Sequence, residues 1–202
     1  MGKILKFLLF SFLIIFFTSN AFALDRCREY ITDVRNSHTR NFNGNFPWWY
    51  GLGQIEQESS CRANVTSFDS GMGLTQFVPS TWNVIKKQMG RPDLSPYKAS
   101  DSIEAQAFYM ASIQKKENWS ASKQLWISYQ IYNGGRSTLY KEYQRAGVLD
   151  WDLMKSECQR KKIQMKWGVL DLCEVNYSYS KEVYRKGNSY RLGKDHYSWR
   201  FW

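Results

Sequence analysis

Apolar side chains recur at intervals of three and four residues along almost the whole chain, and no stretch alternates strongly enough to mark a half-buried strand. That periodicity restricts the fold to packed helices. Leu24, Cys27, Ile31 and Val34 lie on one face of a first helix, which the Asn- and Gly-containing run NSHTRNFNGNF is expected to break. Trp48, Leu52, Ile55 and Ser59 form a second stripe. Pro79-Ser80-Thr81 opens a third helix, because proline and hydroxyl side chains suit a first turn, and Gly90-Arg91-Pro92 closes it. In ASDSIEAQAFYMASIQKKENW, Asp101 or Ser102 caps a further helix with Ile103, Ala107, Met110 and Ala111 on one face. SASKQLWISYQIYNGG adds another, ended by Gly134 and Gly135. Residues 138–146 and roughly 149–167 are expected to supply two more. The fold class is therefore mainly α, with short β segments at most, the best place for them being between residues 60 and 78.

Residues 1–23 read as a secretory signal peptide. Lys3 and Lys6 precede the apolar run Phe7 to Phe17, and Ala21-Phe22-Ala23 ends the segment. The run is shorter than the about 20 residues that a membrane span requires. Without those 23 residues and their two lysines, 179 residues and a net charge of +8 remain, enough for one domain with a core. An exported basic protein meets anionic partners in the periplasm or cell envelope. The four cysteines, Cys27, Cys61, Cys158 and Cys173, all lie beyond the leader, and an even count in an exported chain implies two disulfides. Antiparallel packing of the first two helices would bring Cys27 to Cys61, leaving Cys158 to Cys173 across the break at Gly168. A zinc site is disfavoured: there is no C-x-x-C pair, and His38 and His196 are the only histidines. Residues 24–176 are expected to form the functional domain. Residues 177–202 interleave aromatic and basic side chains without helical spacing, and are expected to fold back over it as an extra layer.

The site signal lies in QESSCRANVTSFDSGMGLTQFVPSTW, residues 57–82, where a helix end, a glycine-spaced turn and a helix start follow in quick succession. A carboxylic acid in an apolar pocket can stay protonated near neutral pH and protonate a glycosidic leaving oxygen. Periodicity leaves both Glu56 and Glu58 on the flanks of the apolar stripe, and does not choose between them.

Three blocks carry a resemblance that does choose. Gln57-Glu58-Ser59, Gly73-Leu74-Thr75-Gln76 followed by Pro79, and Ile131-Tyr132-Asn133-Gly134-Gly135 together resemble the soluble lytic transglycosylase family of peptidoglycan-cleaving enzymes. Thr75 stands where methionine is usual, and Gly71 and Gly134 stand where alanine is usual. The resemblance implies a lysozyme-like helical domain needing no cofactor or metal, with glycan strands of peptidoglycan as its substrate. It implies Glu58 as the single acid and base and Tyr132 as the hydroxyl that holds it. Ser59, Gln76 and Asn133 would contact the sugar, and Gly73 and Leu74 would shape the cleft wall. Such compact exported enzymes open the wall locally for secretion, conjugation or phage machines. A goose-type lysozyme-like hydrolase is the alternative, with Asp69 or Asp101 positioning a water. A nucleic-acid-binding role is disfavoured by the presence of Glu58, Gln76 and Tyr132 together.

Overall fold

The computed structural model describes residues 26–42, 46–117, 121–166 and 168–191. The expected signal peptide and the last residues of the aromatic tail, Tyr197, Trp199, Phe201 and Trp202 among them, lie outside the described residues. The helices are α1 (Ile31–Asn41), α2 (Trp48–Ser59), α3 (Pro79–Met89), α4 (Ala99–Glu117), α5 (Ala121–Gly134), α6 (Arg136–Ala146) and the short α7 (Trp151–Ser156). An antiparallel hairpin, β1 (Lys162–Met165) and β2 (Gly168–Asp171), then leads into α8 (Leu172–Asn188). The mainly helical class expected of the sequence is what forms.

Helix α2 is the centre of the molecule. Trp48, Trp49, Tyr50, Leu52 and Ile55 are all buried, and α1 and α8 pack against it. Helix α5 adds Trp126, Ile127, Tyr129 and Ile131 to the same core and leans on α4, α6 and α8. A smaller cluster, Phe77, Trp82, Ile85, Leu94 and Ala105, seats α3 on α4. Two disulfides tie the ends of this frame. Cys27 is joined to Cys61 with Cα atoms 5.2 Å apart, and Cys158 to Cys173 at 5.9 Å, the pairing that antiparallel helices suggested.

Three expectations change. First, α1 does not stop before His38 but runs to Asn41. His38 is fully buried, donates from Nδ1 to the Val34 carbonyl at 2.8 Å, and stacks on Phe42 and Phe46. A side chain at position 51 would come within 2.3 Å of its Nε2, so Gly51 on α2 gives the imidazole its space. Tertiary packing thus overrides weak local helix preference. Second, the single helix expected over 149–167 is α7 followed by strand β1. The chain leaves the helix where Cys158 is tied to Cys173 and Arg160 pairs with buried Glu142. Third, Tyr177–Asn188 is not an outer layer. It belongs to α8, a core helix that passes without interruption through the boundary expected at 176/177. Tyr177, Tyr179, Val183 and Tyr184 are buried, and Asp171 caps the helix by accepting from Cys173 N at 2.9 Å.

The reason α8 escaped a pattern based on apolar spacing lies in its contact with α2. A Cβ on Gly53 would meet Gly187 N at 2.4 Å and Val183 O at 2.5 Å, and one on Gly187 would meet Tyr50 Cδ1 at 2.5 Å. The two backbones touch at glycines, so small residues and serine occupy positions where a longer apolar stripe would otherwise be read.

Candidate active site

The last turn of α2 carries Glu58 into a cleft of about 610 Å³. Gln57, Gln76, Phe77, Tyr109, Tyr132 and Asn133 share its walls, while Ser67, Phe68 and Asp69 form one rim. Burial removes water from the Glu58 carboxyl and raises its pKa from the ordinary carboxylate range to about 7; nearby Asp69 pushes it the same way, while a hydrogen bond from Tyr179 and the charge of Lys186 oppose the rise. A carboxyl in that state can give up a proton near neutral pH and take one back.

Tyr179, on α8, is the partner of Glu58: its hydroxyl donates to Glu58 Oε1. The same hydroxyl accepts from Gln54 Nε2 at 3.1 Å, and Gln54 Oε1 accepts from Gln106 Nε2 at 2.8 Å. A buried hydrogen-bond chain therefore runs from α4 through α2 and α8 to the acid. Tyr179 was not singled out in the sequence, because it lies in the stretch read as an aromatic tail. Tyr132, the hydroxyl expected to hold the acid, makes its own hydrogen bond to the loop. Its hydroxyl donates to the Thr75 carbonyl at 2.7 Å, and its ring packs with Phe77 and Tyr109 as a cleft wall. Both phenols are held well above the ordinary tyrosine range by burial and by Glu58, so they act as neutral donors. Glu56, the other glutamate of the helix, accepts from Tyr190 at 2.5 Å and is not a cleft residue.

The loop between α2 and α3 is tightly wound. Antiparallel bridges join Thr66 to Met72 and Met72 to Phe77. These two bridges are the β-type pairs within 60–78, the stretch best suited to short β segments. Ser67 Oγ accepts from Gly71 N at 2.8 Å, and Ser67 N donates to the Gly71 carbonyl at 2.9 Å, which closes a tip bearing Phe68 and Asp69. Phe68 is 90% exposed there, a large ring with nothing packed on it beside the cleft. Among the described residues, the non-glycine positions with positive φ are Ser60, Cys61, Ser70 and Gln76, all in or beside this loop. Such backbone conformations are costly, and they cluster where surrounding structure enforces a site.

The remaining expected site residues fall into two groups. Gln76 and Asn133 line the cleft. Ser59, Gly73 and Leu74 do not. Ser59 is buried, its Oγ accepting from Arg62 N at 3.2 Å at the close of α2, so it shapes the helix end. Leu74 is wholly buried in the main core beneath the loop. Gly73, at φ +64°, lies against Pro96, where an added Cβ would be 1.8 Å from the carbonyl oxygen. Of the two candidate water-positioning acids, Asp69 is on the rim, whereas Asp101 is away from the cleft, paired with Lys98 at 3.0 Å and accepting from Ser95 N. Among the described residues, no group of three or more His, Cys, Asp or Glu is placed to hold a metal ion.

The three departures from the usual motif residues each have a local partner. Thr75 is buried and its hydroxyl meets Ser102 Oγ at 2.8 Å. A Cβ on Gly71 would come 2.7 Å from Gln76 Oε1, so glycine leaves room for the Gln76 amide, whose Nε2 donates to the Gly73 carbonyl. A Cβ on Gly134 would come 2.5 Å from the Arg160 guanidinium.

A helical frame that presents one desolvated carboxyl at a helix end beneath a tight loop is the lysozyme-like architecture. The Transglycosylase SLT domain model matches residues 51–154, a little over half of the chain, and the chain belongs to that family. Among solved structures it is similar to the 70 kDa soluble lytic transglycosylase of Escherichia coli, with TM-score 0.59, 19% identity, and coverage of 77% of this chain and 24% of that one. A complex of a 70 kDa soluble lytic transglycosylase with bulgecin A gives TM-score 0.59, 18% identity, and coverage of 82% and 26%. The chain thus spans about a quarter of the length of these structures, and the likeness is one of fold. No curated protein matches the sequence.

Proposed function

We propose that the protein is a lytic transglycosylase that cuts the β-1,4 bond between N-acetylmuramic acid and N-acetylglucosamine in peptidoglycan. The observation that carries this reading is the state of Glu58, a cleft carboxyl whose pKa is raised to about 7 by burial. Protonated Glu58 gives its proton to the glycosidic oxygen as the bond from the muramyl anomeric carbon breaks. The carboxylate so formed takes the proton of the muramyl 6-hydroxyl, whose oxygen closes on the anomeric carbon. The product is a 1,6-anhydro sugar, no water is consumed, and Glu58 ends protonated. Because the substrate supplies its own nucleophile at high effective concentration, a second carboxylate is not needed.

Tyr179 holds Glu58 in place, and Gln76 and Asn133 are assigned to the sugar and its acetamido group, supported by their place along the cleft. Phe68, exposed at the rim, offers its face to a sugar ring. Hydrolysis by a water held at Asp69 is the second reading, favoured by that carboxylate's place on the same rim. The proposal extends to action in the periplasm or cell envelope and to local wall opening beside a secretion, conjugation or phage machine; that extension rests on the motif resemblance. Among the described residues, no helix is long and apolar enough to cross a membrane. The experiment that tests the assignment of Glu58 is its replacement: Glu58→Gln should fold and leave peptidoglycan uncut, while Glu56→Gln should cut at close to the wild-type rate. Activity in Glu58→Gln would remove the residue from the mechanism.

A further inference from the structure

The hairpin of β1 and β2 takes no part in the chemistry at Glu58. Its base is fixed by the Cys158–Cys173 disulfide and by Leu172 N, which donates to the Lys161 carbonyl at 3.3 Å. The register sets Lys162 opposite Asp171, Ile163 opposite Leu170, Gln164 opposite Val169 and Met165 opposite Gly168. Along an antiparallel pair, hydrogen-bonded and non-hydrogen-bonded positions alternate. Since Lys161 is bonded to Leu172, Ile163 and Met165 direct their N–H and C=O groups towards β2. Lys162 and Gln164 turn theirs to the outer edge of β1. Among the described residues, no third strand joins this sheet.

Two strands alone are marginally stable in water, and an open edge is a template for another chain. Here β1 is exposed along most of its length while β2 is largely half-buried, so the edge of β1 is the open one. Each face of the hairpin also keeps an exposed apolar side chain, Ile163 on one and Val169 on the other. Charge selects among partners. Between Cys158 and Cys173 stand four bases, Arg160, Lys161, Lys162 and Lys166, and one acid, Asp171. Arg160 pairs with buried Glu142, and Lys162 lies 3.2 Å from Asp171. Lys161 and Lys166, both exposed, leave the edge positive. Lysines so placed repel the same edge of a second copy of this chain and attract a segment of opposite charge.

We propose that the β1 edge docks an extended acidic segment of a partner protein, which joins the hairpin as a third strand. The backbone groups of Lys162 and Gln164 pair with it, the lysines set its charge, and Ile163 and Val169 take up its apolar side chains. The disulfide holds the base of the hairpin before a partner arrives, so little of the receptor has to be ordered on binding. Asp171, at the end of β2, is also the N-cap of α8, and Val175, about one helical turn further on, lines the cleft. A docked partner therefore sits beside the cleft and fixes where the cleft is presented. This inference goes beyond the reading of the cleft and does not depend on it.

A peptide of about ten residues, alternating glutamate with valine and threonine, tests this when titrated into the purified protein and followed by amide NMR. The amides of Lys162 and Gln164 should shift and exchange more slowly with solvent. The same peptide with glutamine for glutamate should bind about tenfold more weakly. Gln164→Pro removes an outward N–H at an edge position that accepts proline, and should weaken binding of the acidic peptide about tenfold, with Gln164→Ala binding as the wild type does. A melting temperature close to the wild-type value verifies that the proline variant is folded, and amide protection is read on the unaltered protein in any case. No shift at millimolar peptide, equal binding of the acidic and neutral peptides, or wild-type binding by folded Gln164→Pro overturns the proposal. If sedimentation finds a dimer in which these amides are protected without peptide, a second copy covers the edge and the proposal falls. It falls equally if peptide-free glycan strands shift these amides and the acidic peptide does not. None of these measurements needs turnover, so they decide the docking edge even if the protein leaves peptidoglycan uncut, the result that would defeat the transglycosylase reading.

Discussion

Glu58 owes its chemistry to its surroundings. Burial and the nearby Asp69 favour its neutral form, while the Tyr179 hydroxyl and Lys186 favour its charged form, and the balance is a pKa near 7. The sign for stability follows. A carboxyl raised above its unfolded value stabilises the fold most fully below the unfolded pKa, and that contribution is lost as pH rises through about 7. Glu58→Gln should therefore melt above the wild type at pH 8, with the difference vanishing towards pH 5; thermal scans across that range check it. Tyr179→Phe removes the hydrogen bond that lowers the Glu58 pKa. The pH at which activity falls off on the alkaline side should move up by about one unit, the worth of one bond to a charged group. A pH–rate profile that keeps its alkaline limb in Tyr179→Phe would mean that the bond does not tune the acid.

The loop from residue 60 to 78 and helix α8 set the geometry, and they differ in how far the sequence announced them. The loop could be read from Glu58, the spaced glycines and Pro79, because tight turns leave a signature in residue type. Which loop residues face the cleft could not: Leu74 and Ser59 turn inward, and Phe68 turns outward, a matter of backbone path alone. Gly73→Ala would place a Cβ against the Pro96 carbonyl at a positive φ, and should cost at least about 2 kcal/mol in chemical denaturation. Helix α8 was hidden because its contact face is built from Gly187, Ser180 and tyrosines, and because the glycine that receives it, Gly53, is remote in sequence. In α1, His38 shows the same dependence on context. Burial depresses its pKa to about 4, so the unfolded chain takes up a proton first as pH falls. Its contribution is fully present above about 6.5 and is lost on the way down to about 4, a change of about 3 kcal/mol. An NMR titration should find the His38 imidazole still neutral at pH 5.5; a midpoint near 6.5 would contradict this.

The molecule as a whole is one helical frame closed by two disulfides, in which the acid comes from α2 and its partner from α8 at the far end of the described chain. Truncation after Ser180 should therefore abolish cooperative folding and not merely loosen substrate binding, since Val183, Tyr184 and Tyr190 leave the core with it. A sharp melting transition in the truncated protein would return α8 to the status of an appendage. The central claim is that this frame lets the substrate's own 6-hydroxyl replace water. Mass spectrometry of peptidoglycan digested by the protein decides it. Muropeptides one water lighter than the products of hydrolysis, ending in 1,6-anhydro-N-acetylmuramic acid, are the predicted result, and products with a free reducing end would contradict it.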